Sequence, residues 1–146
     1  MIGRADIEGL VPHAGAMCLW EAVAGWDRSR IVLHAHGHRD PAHPLRRDGR
    51  LHAVHLCEYG AQAMAVHGGL VARAAGQPPR AGMLVALRGV ALHVARFDDL
   101  AGVLVGEAEQ LADSPASQQY AFRLHCDGVL LAEGRAAVML APTMPA

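Results

Sequence analysis

The pattern of apolar and polar positions predicts two strands, one long helix and then about four more strands. A short turn or helix at residues 7–10 precedes an apolar run of strand length at residues 17–24. Residues 31–36 then alternate between two kinds of side chain, which is the period of a β-strand. Residues 26–28 are predicted to turn the chain, so the first two strands are expected to form a hairpin.

The predicted helix covers residues 54–75, is rich in alanine and stops at Gly76. Its only charges are Glu58 and Arg73, which is typical of a helix buried on most sides. Four apolar runs follow, at 83–96, 102–111, 118–126 and 129–140. One antiparallel sheet wrapped round a central helix satisfies this order, so the predicted fold class is α+β.

Length and composition favour one compact domain. The chain has 146 residues, of which 52% are hydrophobic and 18% charged, well outside the range of a disordered chain. No repeat or long linker divides it. We expect a single domain over residues 1–141 and a flexible tail over residues 142–146.

Charge and cysteine usage exclude several classes of function. The net charge is −1 and there are only two each of Trp, Tyr and Phe, which argues against nucleic-acid binding. No apolar stretch approaches the roughly 20 residues that span a bilayer, and no signal peptide is recognisable. The three cysteines have no CxxC spacing. These features predict a cytoplasmic protein without membrane association.

Glu58 is the strongest candidate for catalysis, because it is the helix's only acidic residue. If it is buried, desolvation favours the protonated carboxyl, the form that a general acid needs. Gln62 lies four residues later and His55 three residues earlier, so the three share one helical face. The alternative is a polar stripe on the protein surface.

Histidines on both sides of the first hairpin are candidate proton acceptors. His13 precedes the first strand, and His43 lies in a polar loop over residues 37–50. Either could meet Glu58 and form the imidazole and carboxyl pair that proton-transfer chemistry uses. His34, His36 and His38 alternate along a strand, but no carboxylate or cysteine joins them at a ligand spacing, so no metal site is expected.

An arginine cluster lies in the same loop. Arg46, Arg47 and Arg50 could contact a phosphate or an acidic carrier protein near the site entrance, or could simply be solvated.

Two segments resemble the FabZ/FabA-like 3-hydroxyacyl-[acyl-carrier-protein] dehydratases. Residues 10–19, LVPHAGAMCL, resemble that family's LPHxxPMxLLD opening, and residues 58–63, EYGAQA, resemble its ExxAQ helix start. The loop at residues 48–51 is similar to that of the aryl-polyene cluster subgroup. The resemblance implies a hot-dog fold with an active site at a dimer interface, built from a homodimer or a heterodimer with a related subunit.

The implied reaction removes water from a 3-hydroxyacyl thioester on the phosphopantetheine of an acyl carrier protein. A histidine takes the C2 proton and Glu58 protonates the leaving hydroxyl, while Gln62 orients Glu58 or a water. Backbone N–H groups of Ala53 and Val54 polarise the thioester carbonyl. No metal or redox cofactor is needed, because the thioester acidifies the C2 proton.

The identity of the base stays open in the sequence. The family's HFP motif is absent, and His43-Pro44-Leu45 occupies its place. We therefore rank His13 first, since it lies within a matched motif, and His43 second. Two other functions remain: a hot-dog thioesterase in which Glu58 activates water, and a catalytically silent subunit that pairs with an active dehydratase and binds carrier protein.

Overall fold

The computed structural model describes residues 2–11, 17–78 and 80–141. His13 and the predicted tail at 142–146 lie outside these ranges. The elements, in chain order, are β1 (Ile2–Gly3), α1 (Arg4–Leu10), β2 (Ala22–Trp26), β3 (Arg30–Ala35), α2 (Leu56–Ala74), β4 (Gly82–Leu92), β5 (Leu104–Asp113), β6 (Ser117–Cys126) and β7 (Val129–Leu140). Short 3₁₀ turns occur at Gly37–Arg39 and Ala53–His55.

The seven strands form one antiparallel sheet in the order β1-β2-β3-β5-β6-β7-β4. The long helix α2 packs on the inner face of this sheet, with most of its contacts to β3, β5 and β6. This is the hot-dog arrangement, and the α+β prediction is confirmed. No helix in the described ranges has both the length and the apolar character needed to cross a membrane.

The alternation of buried and exposed side chains along the strands places the core on the face of the sheet that α2 covers. In β6, Tyr120, Phe122 and Leu124 are buried, whereas Gln119 and Arg123 are exposed. This is the period of two expected for a sheet with one covered face. Asp127 and Gly128 join β6 to β7 with φ angles of 51° and 78°. Both are left-handed, as a tight hairpin turn requires.

A close approach of backbone to side chain seats α2 on the sheet. A Cβ atom at Gly60 would lie 2.7 Å from Cδ2 of Phe122, so only glycine fits at this contact. The indole Nε1 of Trp20 donates to the carbonyl of Tyr59 at 2.8 Å, which fixes the same part of the helix. Trp20, Tyr59 and Phe122 are all fully buried.

The predicted strand at residues 17–24 is wrong in its first half. The strand begins at Ala22, and residues 17–21 are irregular. The physical reason is that the backbone at Met17 and Leu19 bonds to a helix side chain rather than to a neighbouring strand.

Candidate active site

A cavity of about 770 Å³ runs between α2 and the inner face of the sheet. This is within the usual range for small-molecule sites. Glu58 lines the end beside the first turn of α2, and Ala75 lines the other end. At 1.5 Å per residue this stretch of helix is about 25 Å long. Small residues of α2 form one wall, and strands β4, β5, β6 and β7 form the other. The wall of α2 includes Ala61, Ala65, Gly68 and Ala72.

Glu58 is partly buried at the head of this cavity. His55, one turn earlier, lies within electrostatic range of Glu58, as the sequence spacing predicts. Burial lowers the pKa of His55, helped by the positive charges of His52 and Arg47, while Glu58 acts in the opposite direction. The carboxylate therefore has a neighbouring imidazole in the 3₁₀ turn that leads into its helix.

Gln62 does not point into the cavity but holds the segment before β2. Its Oε1 accepts a hydrogen bond from the Leu19 N–H at 2.9 Å, and its Nε2 donates to the Met17 carbonyl at 2.7 Å. The side chain is buried. Because both ends of the amide are bonded to backbone, Gln62 anchors residues 17–19 one helical turn beyond Glu58.

His43 is bonded to Tyr59, the residue next to Glu58. The Leu45 N–H donates to Nδ1 of His43 at 3.1 Å, so Nε2 carries the ring hydrogen and donates to the Tyr59 hydroxyl at 2.9 Å. Consecutive helix positions differ by about 100° round the axis, so Tyr59 faces the core while Glu58 faces the cavity. Burial, followed by the Arg46 charge, lowers the pKa of His43.

The helix start offers one of the two predicted backbone donors. The Ala53 N–H donates to the carbonyl of Ala95 at 3.0 Å, so it is already used within the fold. Within the described ranges, no acceptor is found for the Val54 N–H. Val54 is also exposed, at 57%. This donor belongs to an exposed residue four positions before Glu58.

Arg46 fastens the loop that precedes the helix. Its guanidinium donates to the carbonyls of Asp40 at 2.8 Å, Gly49 at 2.6 Å and His38 at 3.1 Å. Only 14% of the side chain is exposed. Asp98 lies nearby and accepts bonds from Arg96 and from the Leu51 N–H. The hydrogen bond from Arg96 holds the pKa of Asp98 well below its usual range.

Arg47 and Arg50 occupy facing positions on a tight turn. Their backbones exchange two hydrogen bonds of 2.9 Å, and Asp48 and Gly49 between them have φ angles of 53° and 73°. Both arginines are exposed. Since Arg47 also acts electrostatically on His55, this turn lies at the Glu58 end of the cavity.

In the part of the cavity far from Glu58, the lining includes Tyr120, whose hydroxyl is hydrogen-bonded to His67. His67, which is fully buried, donates from Nε2 to the Asp27 carbonyl at 2.9 Å. Its Nδ1 therefore accepts from the Tyr120 hydroxyl at 2.8 Å. Burial lowers the pKa of His67 and raises that of Tyr120. Both groups are neutral and fixed in position.

No three His, Cys, Asp or Glu side chains converge into a possible metal site in the described part of the chain. His36 faces Glu21 at 3.0 Å, and His38 is buried with Nε2 donating to the Leu100 carbonyl at 2.8 Å. Their alternation in the sequence therefore does not bring the rings together.

Tyr59 and the small-residue wall of α2 were not identified in the sequence as site elements. A helical spacing of three and four links Ala61, Ala65, Gly68 and Ala72, and this spacing was the available signal.

Comparison with solved structures shows the same fold. The chain is similar to the dehydratase heterocomplex ApeI:P from Xenorhabdus doucetiae, at 24% identity and a TM-score of 0.84 over 94% of this chain and 91% of that one. It is also similar to AziG of S. sahachiroi, at 16% identity and a TM-score of 0.65 over 92% and 99% of the two chains. A hypothetical thioesterase with coenzyme A from Streptococcus pneumoniae follows, at 10% identity and 0.62 over 85% and 88%.

Sequence comparison identifies the family. Among curated proteins, none has a significant match to this chain. The ApeP-like family, described as ApeP dehydratase, matches residues 5–145, which is nearly the entire chain. The chain therefore belongs to the ApeP dehydratase family.

Proposed function

We propose that the protein eliminates water from a 3-hydroxyacyl thioester carried on the phosphopantetheine of an acyl carrier protein, giving the 2-enoyl thioester. The observation that carries this proposal is the position of Glu58 at the head of a long cavity, in a member of a dehydratase family. The cavity wall beside it is apolar and made of small residues, which suits an extended acyl chain.

The proposed chemistry needs one base and one acid. His13 takes the C2 proton, the electron pair forms the C2–C3 double bond, and the C3 hydroxyl leaves as water with a proton from Glu58. The proton held by His13 then returns to Glu58, which restores the starting state. The Val54 N–H, the free donor at the helix start, accommodates the charge that develops on the thioester oxygen.

His13 is preferred to His43 as the base because His43 is already engaged. Both ring nitrogens of His43 bond to Leu45 and Tyr59. Two residues that lie close to His13 in the sequence support the choice of His13. Leu10 lines the cavity that contains Glu58, and Met17 is bonded to Gln62, one turn along the helix from Glu58.

The carrier protein is proposed to dock at Arg47 and Arg50. Carrier domains present phosphate and acidic side chains, which exposed guanidinium groups bind well. Arg46, by contrast, is committed to three carbonyls of its own loop, so we assign it to holding the turn in place. Charge reversal at Arg47 and Arg50 together should raise KM for a carrier-bound substrate and leave kcat nearly unchanged.

We further propose that the chain works as a dimer with a related hot-dog subunit. The similar solved structure from X. doucetiae is the dehydratase heterocomplex ApeI:P. A silent role within such a pair is the second candidate function, and the engagement of His43 with Tyr59 favours it.

The test follows a 3-hydroxyacyl carrier-protein thioester by mass, with purified wild type, Glu58→Gln and His13→Ala. Loss of one water is expected for the wild type, and each variant should lower the rate about a hundredfold or more. Glu109→Gln is the matched control, because Glu109 is exposed on β5 and is not among the residues that line the cavity. Release of free acid would contradict the proposal in favour of a thioesterase, and absence of turnover would contradict it in favour of a silent subunit.

A further inference from the structure

The cavity beside α2 has an apolar helix wall next to Glu58. Between Glu58 and Gly68, the residues that α2 adds to the lining are Ala61, Met64 and Ala65. Glu58 and Gly68 are ten residues apart in the helix, which at about 1.5 Å per residue separates them by about 15 Å. A Cβ added at Gly68 would meet no atom within 4 Å, so the space over this part of the helix is open.

Polar side chains enter the lining at the level of Gly68. The Tyr120 hydroxyl bonds to His67, the residue before Gly68, and the strand partner Gln110 donates to the same hydroxyl at 3.4 Å. Other polar members of the lining at this end are Arg28, Asp113 and Gln118. Covering such groups with methylene groups, which form no hydrogen bonds, costs free energy. An alkyl chain along α2 therefore gains from burial as far as Gly68 and not beyond it.

We propose that Ala65 and Gly68 are specificity-determining residues, which set the accepted substrate as a linear acyl chain of about twelve carbons beyond C3. This assignment rests on the acyl-thioester function proposed above and names the chain length that the same site takes. With C3 held beside Glu58, the chain reaches Gly68 after about 15 Å. An extended chain advances about 1.2 Å per bond, as an extended polypeptide backbone does, so about twelve bonds cover this distance.

Enlarging either residue should shorten the accepted chain by a graded amount. A helix side chain covers the turn on the N-terminal side of its own Cα. Gly68→Leu would therefore fill the space beside Ala65, and Ala65→Leu the space beside Ala61. The two substituted positions are three residues apart, about 4.5 Å, which corresponds to about four bonds of an extended chain. Both positions are partly exposed and lie outside the hydrophobic core, so neither change displaces core packing.

The test is calorimetric titration with S-alkyl pantetheine thioethers of increasing chain length, which bind without reacting. Each methylene group buried beside α2 should tighten the dissociation constant by up to about fourfold. In the wild type this gain should stop at about fifteen carbons, three as far as C3 and about twelve beyond it. In Gly68→Leu it should stop at about eleven carbons and in Ala65→Leu at about seven, while the shortest ligand binds all three proteins equally.

Ala74→Leu is the matched control, because Ala74 is exposed on α2 and is not among the described residues that line the cavity. Its dependence on chain length should be that of the wild type, and circular dichroism should show the same fold for every variant. Absence of binding to the wild type, one limit shared by all the proteins, or a limit in Ala65→Leu no shorter than in Gly68→Leu would each overturn the proposal. The readout is binding alone, so its failure is distinct from a failure to dehydrate substrate.

Discussion

Gln62 is a residue whose role depends on both ends of its amide. One end accepts from the Leu19 N–H and the other donates to the Met17 carbonyl, across 43 and 45 residues of chain. Since the Gln62 side chain is buried, its amide is satisfied by these two bonds rather than by bulk solvent. The amide thereby sets the path of the chain next to Glu58. This anchoring gives a physical explanation for the glutamine in the segment that resembles ExxAQ.

Replacement of Gln62 should reveal this anchoring role. Gln62→Leu keeps the side-chain bulk but leaves two backbone groups without partners, so the free energy of unfolding should fall by about 2–4 kcal/mol in urea denaturation. Gln119→Leu is the control, because Gln119 is exposed on β6, and its effect should stay within about 0.5 kcal/mol. Equal stability of Gln62→Leu and wild type would refute the anchoring role.

The contact that His43 makes could not be predicted from the sequence. Its position shortly before the helix suggested contact with Glu58, but chain proximity does not determine which helical face a loop side chain reaches. The ring bonds to Tyr59, one position and about 100° away from Glu58. The bond from Leu45 then fixes which nitrogen of His43 carries the hydrogen.

Helix α2 has one face fitted to the sheet and another that borders the cavity. On the sheet face, Gly60 touches the ring of Phe122. On the cavity face, a Cβ added at Gly68 would meet no atom within 4 Å. The two glycines are eight residues apart in one helix. Substitutions at the two positions therefore separate the effect of packing from that of intrinsic helix propensity.

Alanine at these two positions should therefore have opposite effects. Gly60→Ala forces a methyl group against Phe122 and should lower the free energy of unfolding by about 1–3 kcal/mol. Gly68→Ala meets no obstacle and should raise it by up to about 1 kcal/mol, because alanine favours the helix. Thermal and urea unfolding measure both. If both variants changed the free energy of unfolding in the same direction, the close fit at Gly60 and the open space at Gly68 would be contradicted.

The strands after the helix were predicted well because turn chemistry and alternation agree there. The run at Val129–Leu140 forms β7 with the predicted limits, and Asp127-Gly128 forms the expected turn. The strand before the first turn was overextended, since the backbone at Met17 and Leu19 bonds to the side chain of Gln62 and not to a neighbouring strand. Long-range side-chain bonds of this kind leave no local pattern.

Across the whole molecule, several histidines are held in their neutral form. Burial is the main cause that lowers the pKa of His43, His55 and His67. In the unfolded chain each would titrate near 6.5. As pH falls below that value, the unfolded state binds more protons than the folded one, so stability is present above about pH 6.5 and is lost with acidification.

The melting temperature should accordingly fall from pH 7 to pH 5, and His67→Gln should flatten this dependence. Glutamine can still donate to the Asp27 carbonyl and accept from Tyr120, so the variant is expected to fold. His93→Gln is the control, because His93 is 45% exposed and solvent screens its contact with Glu133. A pH slope unchanged by His67→Gln would show that this buried imidazole does not govern acid stability.

The central claim is that Glu58 and the cavity below it act on C2 and C3 of an acyl thioester. The most direct measurement incubates the protein with a 2-enoyl carrier-protein thioester in water labelled with heavy oxygen, and locates the label by mass spectrometry. Reversible dehydration predicts the label in the C3 hydroxyl of an intact thioester, and its loss in Glu58→Gln. Label in a released carboxylate, or no incorporation, would contradict the account.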